Sequence, residues 1–380
     1  MRERPSVLLV QPLLAHYREE LLTLLAQDDR MSLKLAAGDS SSDGIIQTFD
    51  VPGAIESLAL KNRYVGMLLW QRGLVQELLR GKYDALVITG SVHHLSTWVC
   101  LLLAPFCRTR TYLWTTGWHR PDSGAKRLVR LAFYNLAHHL LLYGDWGYEL
   151  GVQSGFPRRK MTVVYNSVQS PDITTVAQVR QEEPVKIVFV GRLTKEKELD
   201  LLLHAVAAGG PRLQQAQVII AGDGPALRHL ENLAERLRVK VNFVGGVYDP
   251  KSLADIYRRA RMTVIPGRAG LTVIQSIGHG VPVVTHSRQD LQVAEAEAVV
   301  IGITGERFNY GDVESLSGAM NRIADLDDDA FRSLQTATRQ AWLSRWSAAA
   351  QAERIASAVL VGLRGPRLRR ATRLTRASES

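Results

Sequence analysis

Residues 262–286 read MTVIPGRAGLTVIQSIGHGVPVVTH, and they switch backbone habit three times. Met262, Thr263, Val264 and Ile265 form a short apolar, β-rich run, the composition of a buried strand. Pro266-Gly267 ends it, because proline cannot continue a hydrogen-bonded ladder. Leu271, Ile274 and Ile277 then recur at helical spacing, with Gln275 and Ser276 between them. Gly278 and Gly280 bracket the helix end, and Val281-Pro282-Val283-Val284 opens another strand. A strand, a glycine loop, a helix and a second strand make the repeating unit of a parallel sheet. The same order points free N–H groups, and the positive end of a helix dipole, into one crevice, which favours an anion. Such units occur in every α/β protein, so this stretch alone constrains the fold more than the ligand.

The remainder of the 380 residues supports that fold class. The length suits about two domains, and 46% apolar residues supply a large core. A formal charge of +10 favours an anionic partner such as a nucleotide or an anionic lipid. Cys100 and Cys107 give neither metal spacing nor a disulfide framework and read as reduced thiols. The run 7–10 is too short for a signal-peptide core, and no run reaches the roughly 20 apolar residues of a membrane span. The expectation is a cytoplasmic protein that rests on a membrane surface.

In the first half, strands are expected at 6–10, 32–37, 85–89, 111–114, 140–143 and 161–165. Helices are expected at 17–26, 63–80, 97–103, 128–138 and 148–154. The 63–80 segment, with Lys61, Arg63, Arg72, Arg80 and Lys82 around it, reads as a basic amphipathic helix suited to anionic lipid. Residues 38–44 read as a mobile loop. His16, Tyr17 and Arg18 sit where the first strand hands over to a helix, the edge that lines ligand crevices in open sheets. His93, His94 and His119 also follow strand ends. Residues 169–183 are polar, contain Pro171 and read as a linker. The strand–helix pattern restarts at 184 and continues to about 325. A long helix is expected over 330–363, with Trp342 and Trp346 on one face. The last stretch, 364–380, carries six arginines and reads as a disordered basic tail able to meet anionic lipid.

Four motifs in order carry a family resemblance: FVGRLTKEK at 189–197, IIAGDGPALRHLE at 219–231, Gly245-Gly246, and PGRAGLTVIQSIGHGVPVVTH at 266–286. Together they resemble the retaining, nucleotide-sugar-dependent glycosyltransferases of family four. That resemblance implies a GT-B fold, two Rossmann-like doubly wound domains facing a central cleft. It divides the chain into an acceptor domain at 1–168, a linker at 169–183 and a donor domain at 184–340. A C-terminal helix at 341–363 would pack back toward the first domain, ahead of the tail at 364–380.

The resemblance also implies roles. Arg192 and Lys197 match the basic pair on the donor diphosphate, with His119 as a third catalytic candidate. Two cations stabilise charge growing on a leaving diphosphate without a divalent metal, and no Asp-x-Asp motif is placed to supply one. Donor contacts would come from Gly191, Gly222, Gly224, Gly245, Pro266, Gly267, Arg268, Ala269, Gly270 and Leu271. The nucleotide base would stack near residues 244–247. The family's two glutamates, seven residues apart, are replaced by Gly267 and Gln275, as in a branch with a Pro-Gly-x-x-Gly-Leu loop. Gln275 can still bond ribose hydroxyls. Glu295 and Glu297 follow the next strand and are candidates to approach the donor. Thr116 takes the place of an expected histidine beside His16, Tyr17 and Arg18 on the acceptor side.

The function implied is transfer of a sugar from a nucleotide-diphosphate sugar to a lipid-linked or glycan acceptor, with retention, in cell-surface polysaccharide or lipopolysaccharide synthesis. A nucleotide-sugar epimerase of the same fold, or a non-catalytic nucleotide-sugar or glycan binder, are the alternatives. A nucleic-acid role is disfavoured, since no aromatic–basic stacking module or zinc spacing is present.

Overall fold

The computed structural model describes residues 4–39, 48–51, 53, 55–171 and 184–364. Most of the 38–44 loop, most of the 169–183 linker and nearly all of the basic tail therefore lie outside the described residues. The chain builds two sheets. The first holds β1 (Ser6–Gln11), β2 (Ser32–Gly38), β3 (Ser57–Val65), β4 (Leu68–Arg72), β5 (Ala85–Thr89), β6 (Arg110–Thr115), β7 (His139–Leu142) and β8 (Met161–Val163). Its order is β4-β3-β2-β1-β5-β6-β7-β8, parallel except for the β3–β4 pair. The second holds β9 (Lys186–Val190), β10 (Gln217–Ala221), β11 (Lys240–Gly245), β12 (Met262–Ile265), β13 (Val283–His286) and β14 (Gly305–Phe308). Its order is β11-β10-β9-β12-β13-β14, all parallel.

Both sheets are covered on both faces, which is why their strands read as continuous apolar runs. On β1, Leu8 and Val10 enter one core while Val7 and Leu9 enter the other. In the second sheet the main core takes Ile187 and Phe189, and a smaller cluster of Val188, Leu253, Tyr257 and Val281 takes the far face. The order reverses between β1 and β5, and again between β9 and β12, so ligand crevices are expected at the carboxyl ends of these strands.

The 63–80 segment is not a helix. It is a hairpin, β3–β4, followed by a short helix at Leu74–Arg80. Val65 pairs with Leu68, leaving a two-residue turn of Gly66 and Met67, with Gly66 at φ 58° as a type II′ turn places its glycine. The basic residues now share the outward face of a ribbon: Lys61 stands opposite Arg72, and Arg63 opposite Trp70. The hairpin tip is bare, with Val65 76% and Met67 78% exposed.

The long helix expected over 330–363 is interrupted. A helix at Asp328–Ala341 runs into a π-helical turn at Trp342–Trp346, and a new helix covers Ala348–Arg364. Both tryptophans are buried in the core of the second sheet. The last helix crosses back to the first unit, where Ala352, Ile355 and Val359 pack with Leu21, Leu22 and Leu25 of the Glu19–Ala26 helix. Tyr112 on β6 donates to the Val359 carbonyl at 3.1 Å, and Ser167 donates to Gln351 at 2.7 Å.

Candidate functional site

Four loops leave the carboxyl ends of the second sheet. After β9, Gly191 hydrogen-bonds the Ala221 carbonyl, and Leu193 that of Asp223, so the loop lies on the turn after β10. That contact explains two glycines. A Cβ at Gly222 would stand 1.9 Å from the Gly191 carbonyl oxygen, and one at Gly224 2.3 Å from that of Leu193. Both also have φ near +155°. Gly222 and Gly224 thus admit the neighbouring Gly191–Leu193 backbone. Asp223 then accepts from the Gly246 amide at 2.8 Å and fixes the turn at Gly245, whose φ is +72°. The exposed ring of Tyr248 lies against Gly246, an aromatic surface beside the 244–247 segment that the motifs did not single out.

Arg192 projects into solvent with no partner among the described residues. Lys197 is held differently. The turn Lys195–Lys197 is clamped to the loop after β12: Gly267 N–H donates to the Lys197 carbonyl at 3.1 Å, and Arg268 N–H to that of Glu196 at 3.0 Å. The Lys197 ammonium closes the clamp on the Arg268 carbonyl at 2.7 Å. Burial, then Arg268 nearby, lowers its pKa, with Glu196 opposing. A Cβ at Gly267 would lie 2.1 Å from the Glu196 carbonyl oxygen. No side chain fits there without moving the backbone, which is why a glutamate is missing from this loop.

The next residues divide. The Ala269 amide, expected to face phosphate, instead donates to Gln292 at 2.8 Å, while the Gln292 amide bonds Thr285 at 3.0 Å. Pro266 and Ala269 are buried. Gly270 faces open space, with nothing within 4 Å of a Cβ built on it. It caps the helix Leu271–Gly278; Val273 N–H donates to the Gly270 carbonyl at 2.9 Å, while the Leu271 and Thr272 N–H groups have no acceptor among the described residues, as expected at a helix start. Gln275 is half-buried on that helix and carries no side-chain bond.

From the first sheet, the loop after β6 enters the cleft. Gly117 takes φ +71°, and its carbonyl accepts from Arg130 at 2.7 Å. This turn brings His119 to the mouth of the cleft, where burial and then Arg268, Arg130 and Arg120 lower its pKa and keep the ring neutral. Arg120 reaches across to the Asp290 carbonyl at 2.9 Å. The Thr116 carbonyl rests on Gly147, and the Thr116 residue is half-buried. His16 and Tyr17 stay near the surface of that edge, with their rings 5.8 Å apart. Arg18 turns inward: it donates to Tyr143 at 2.8 Å and lies 4.3 Å over the Trp114 ring. His93 and His94 lie at a different strand end, after β5, and do not line the cleft cavity described below.

Glu297 is not at the donor loops. Its carboxylate accepts the Asp145 and Trp146 amides at 2.6 and 3.0 Å, capping the helix Asp145–Gln153 of the first unit. Glu295 accepts from Asn166 at 2.6 Å. These contacts tie the two units together. Burial pushes the Glu297 carboxyl up to about 7, against the pull of the two amides. A raised folded pKa means that the contribution to stability is complete below the unfolded value and is lost as pH rises through about 7. Glu297→Gln, always neutral, should therefore gain melting temperature relative to the parent between about pH 5 and 8, with the gain vanishing toward pH 4. A difference in melting temperature that stays flat with pH would contradict this.

Between the units lies a cavity of about 400 Å³, lined by His119 and Arg120 from one side and by Glu196, Glu198, Arg268 and His286, among others, from the other. Burial, then Arg307 and Arg288, holds His286 down to about 4.

Two α/β units joined by a returning C-terminal helix, with a cleft at their strand ends, constitute the GT-B architecture. Anabaena HepE, solved in complex with UDP, superposes with a TM-score of 0.69 at 16% identity, covering 94% of this chain and 100% of its own. The lipopolysaccharide outer core galactosyltransferase WaaB does so at 0.68 and 14%, covering 94% and 99%. Residues 184–325 match the family described as Glycosyl transferases group 1. A glycogen synthase of Mycobacterium tuberculosis is 29% identical over 217 residues, 55% of this chain and 50% of that protein. A GDP-mannose-dependent alpha-(1-6)-phosphatidylinositol dimannoside mannosyltransferase of the same organism is 30% identical over 183 residues, 46% and 45%. The chain thus spans about half the length of these curated relatives.

Proposed function

We propose that this protein transfers a sugar, with retention, from a nucleotide-diphosphate sugar to a lipid-linked or glycan acceptor in cell-surface polysaccharide or lipopolysaccharide synthesis. The observation that carries this is the clamp between the Lys195–Lys197 turn and the loop after β12. It holds the Lys197 ammonium against the loop that leads into the open start of the helix Leu271–Gly278, and the exposed Arg192 precedes it in the same segment. Those groups suit a leaving diphosphate, whose negative charge grows as the glycosidic bond breaks. Arg192 and Lys197 carry that charge. The departing phosphate oxygen takes the proton of the acceptor hydroxyl on the same face of the sugar, so no carboxylate nucleophile is needed. Neutral His119 stands on the acceptor side of the cleft and is able to accept a hydrogen bond from that hydroxyl.

No helix among the described residues is long and apolar enough to cross a membrane. A lipid-linked acceptor would be met instead at the hairpin. Its outward face sets Lys61 beside Arg72, like charges that repel without an anion between them. The bare Val65, Met67 and Trp70 lie on the same ribbon. A panel of UDP- and GDP-sugars, scored for release of nucleoside diphosphate with and without added acceptor and anionic vesicles, tests the whole reading. Acceptor-dependent release is the expected result, together with flotation on anionic vesicles. Acceptor-independent conversion of the sugar would instead favour an epimerase, and binding without turnover a non-catalytic protein.

A further inference from the structure

The clamp raises a question of supply. The loop after β12 has no carboxylate at 267 and no room for one, yet a sugar's hydroxyls need acceptors. The same clamp delivers two carboxylates from the other side. Glu196 and Glu198 flank Lys197, and both line the 400 Å³ cavity beside Arg268, a volume within the range of small-molecule sites. Glu196 has no hydrogen-bond or ion-pair partner among the described residues. Glu198 accepts from the Tyr310 hydroxyl at 2.5 Å through one oxygen, which leaves the other free.

Two further features mark this as a place for a ligand. Glu198 sits at φ 51°, ψ 39°, a left-handed conformation that glycine adopts freely and a glutamate does not. Independently, His286 is only 1% exposed, and its Nδ1 accepts from the Arg288 amide at 3.2 Å. In the neutral ring that leaves the proton on Nε2, where it finds no acceptor among the described residues, on a side chain that lines the cavity. This N–H is open to the cavity, and a sugar hydroxyl there would give it an acceptor. Asp290, the third carboxylate lining the cavity, is paired with Arg288 at 2.8 Å, and Glu297 nearby is occupied by the amides of the first unit.

We propose that Glu198, with Glu196 and the Nε2–H of His286, holds the hydroxyls of the donor's glycosyl group in this cavity, in place of the carboxylate that position 267 cannot carry. The proposal rests on the glycosyltransferase reading above. It makes the turn before the helix Leu199–Ala207 the determinant of which sugar is accepted.

The test compares nucleotide sugars with bare nucleotides. UDP, GDP, UDP-glucose, UDP-galactose and GDP-mannose are titrated into the wild type, Glu198→Gln, Glu196→Gln and Glu198→Gly. The expected result is that each variant binds the matching nucleoside diphosphate within about twofold of the wild type, while its affinity for the preferred nucleotide sugar falls tenfold or more. Glu198→Gln keeps an acceptor for Tyr310, and glycine takes the left-handed conformation without strain, so at least one variant should melt at the wild-type temperature. Equal sugar affinity in all three variants overturns the proposal and leaves the donor site intact. Failure of the wild type to bind any of the five ligands would instead bring down the glycosyltransferase reading and this proposal with it.

Discussion

Arg192→Ala lowers turnover by ~10²–10³-fold at an unchanged melting temperature, the scale seen when one preorganised charge-stabilising group is removed from a transition state. The side chain is exposed and has no hydrogen-bond or ion-pair partner among the described residues, so its loss should carry little structural cost to mask the effect. Lys197→Ala costs more, because two roles end together: the charge on the diphosphate and the bond to the Arg268 carbonyl. Its melting temperature falls as well. Nucleoside diphosphate release in the presence of acceptor, followed for both variants beside a thermal melt, separates these expectations. Turnover in Arg192→Ala equal to the parent's would remove the diphosphate assignment.

The second large effect is on Gly267. By family resemblance alone, Gly267→Glu restores a missing sugar contact and should improve the enzyme. The clamp predicts the reverse. A Cβ there meets the Glu196 carbonyl oxygen at 2.1 Å, and forcing backbone apart costs about 1–3 kcal/mol for a modest intrusion and more for a charged side chain. The variant should melt well below the parent and lose activity, since the hydrogen bonds of Gly267 and Arg268 to the Lys195–Lys197 turn open. Gln275→Glu is the control. That residue is half-buried with an unbonded side chain, so the substitution should fold normally. A Gly267→Glu protein with parental melting temperature and higher turnover would show that the clamp is dispensable.

How much of this was legible in the sequence follows from which interactions are local. The strand–glycine–helix units of the second half were readable because a helical or strand period and a turn residue coincide at each boundary, as at Ile265, Pro266 and Leu271. The hairpin was not. Val65, Leu68 and Leu69 fall at helical spacing, but in a ribbon only Leu69 faces inward while Val65 and Leu68 stay exposed. A period read from types alone cannot separate a helix stripe from a strand with apolar residues on its wet face. At the site, Gly222 and Gly224 were recognisable as close-approach positions, yet the neighbour proved to be the Gly191–Leu193 backbone, because a glycine does not record what passes it. His286 reaches the cavity from the end of β13, Gln292 and Tyr310 from the loops after β13 and β14, and Arg120 from the other unit. No motif links them, since only the packing of the two units brings them together. The αL backbone of Glu198 left one trace: a glutamate directly ahead of an apolar helix start, where a capping residue such as serine or aspartate is usual.

The returning C-terminal helix has a consequence for biosynthesis. On one face of the first sheet, Leu21, Leu22 and Leu25 of the helix Glu19–Ala26 pack with residues of the helix Ala348–Arg364. During translation the first unit therefore leaves the ribosome with that seam open, and it stays open while the whole second unit is made. At about 5–20 residues per second, the wait from residue 171 to residue 364 lasts roughly ten to forty seconds. Throughout that interval the nascent chain presents an uncovered aliphatic strip, a natural target for holding chaperones. The second unit, whose main core is drawn from residues 165–346, reaches its full set of contacts first. Maturation of this protein thus runs against its chain order, with the domain synthesised first being the last to close.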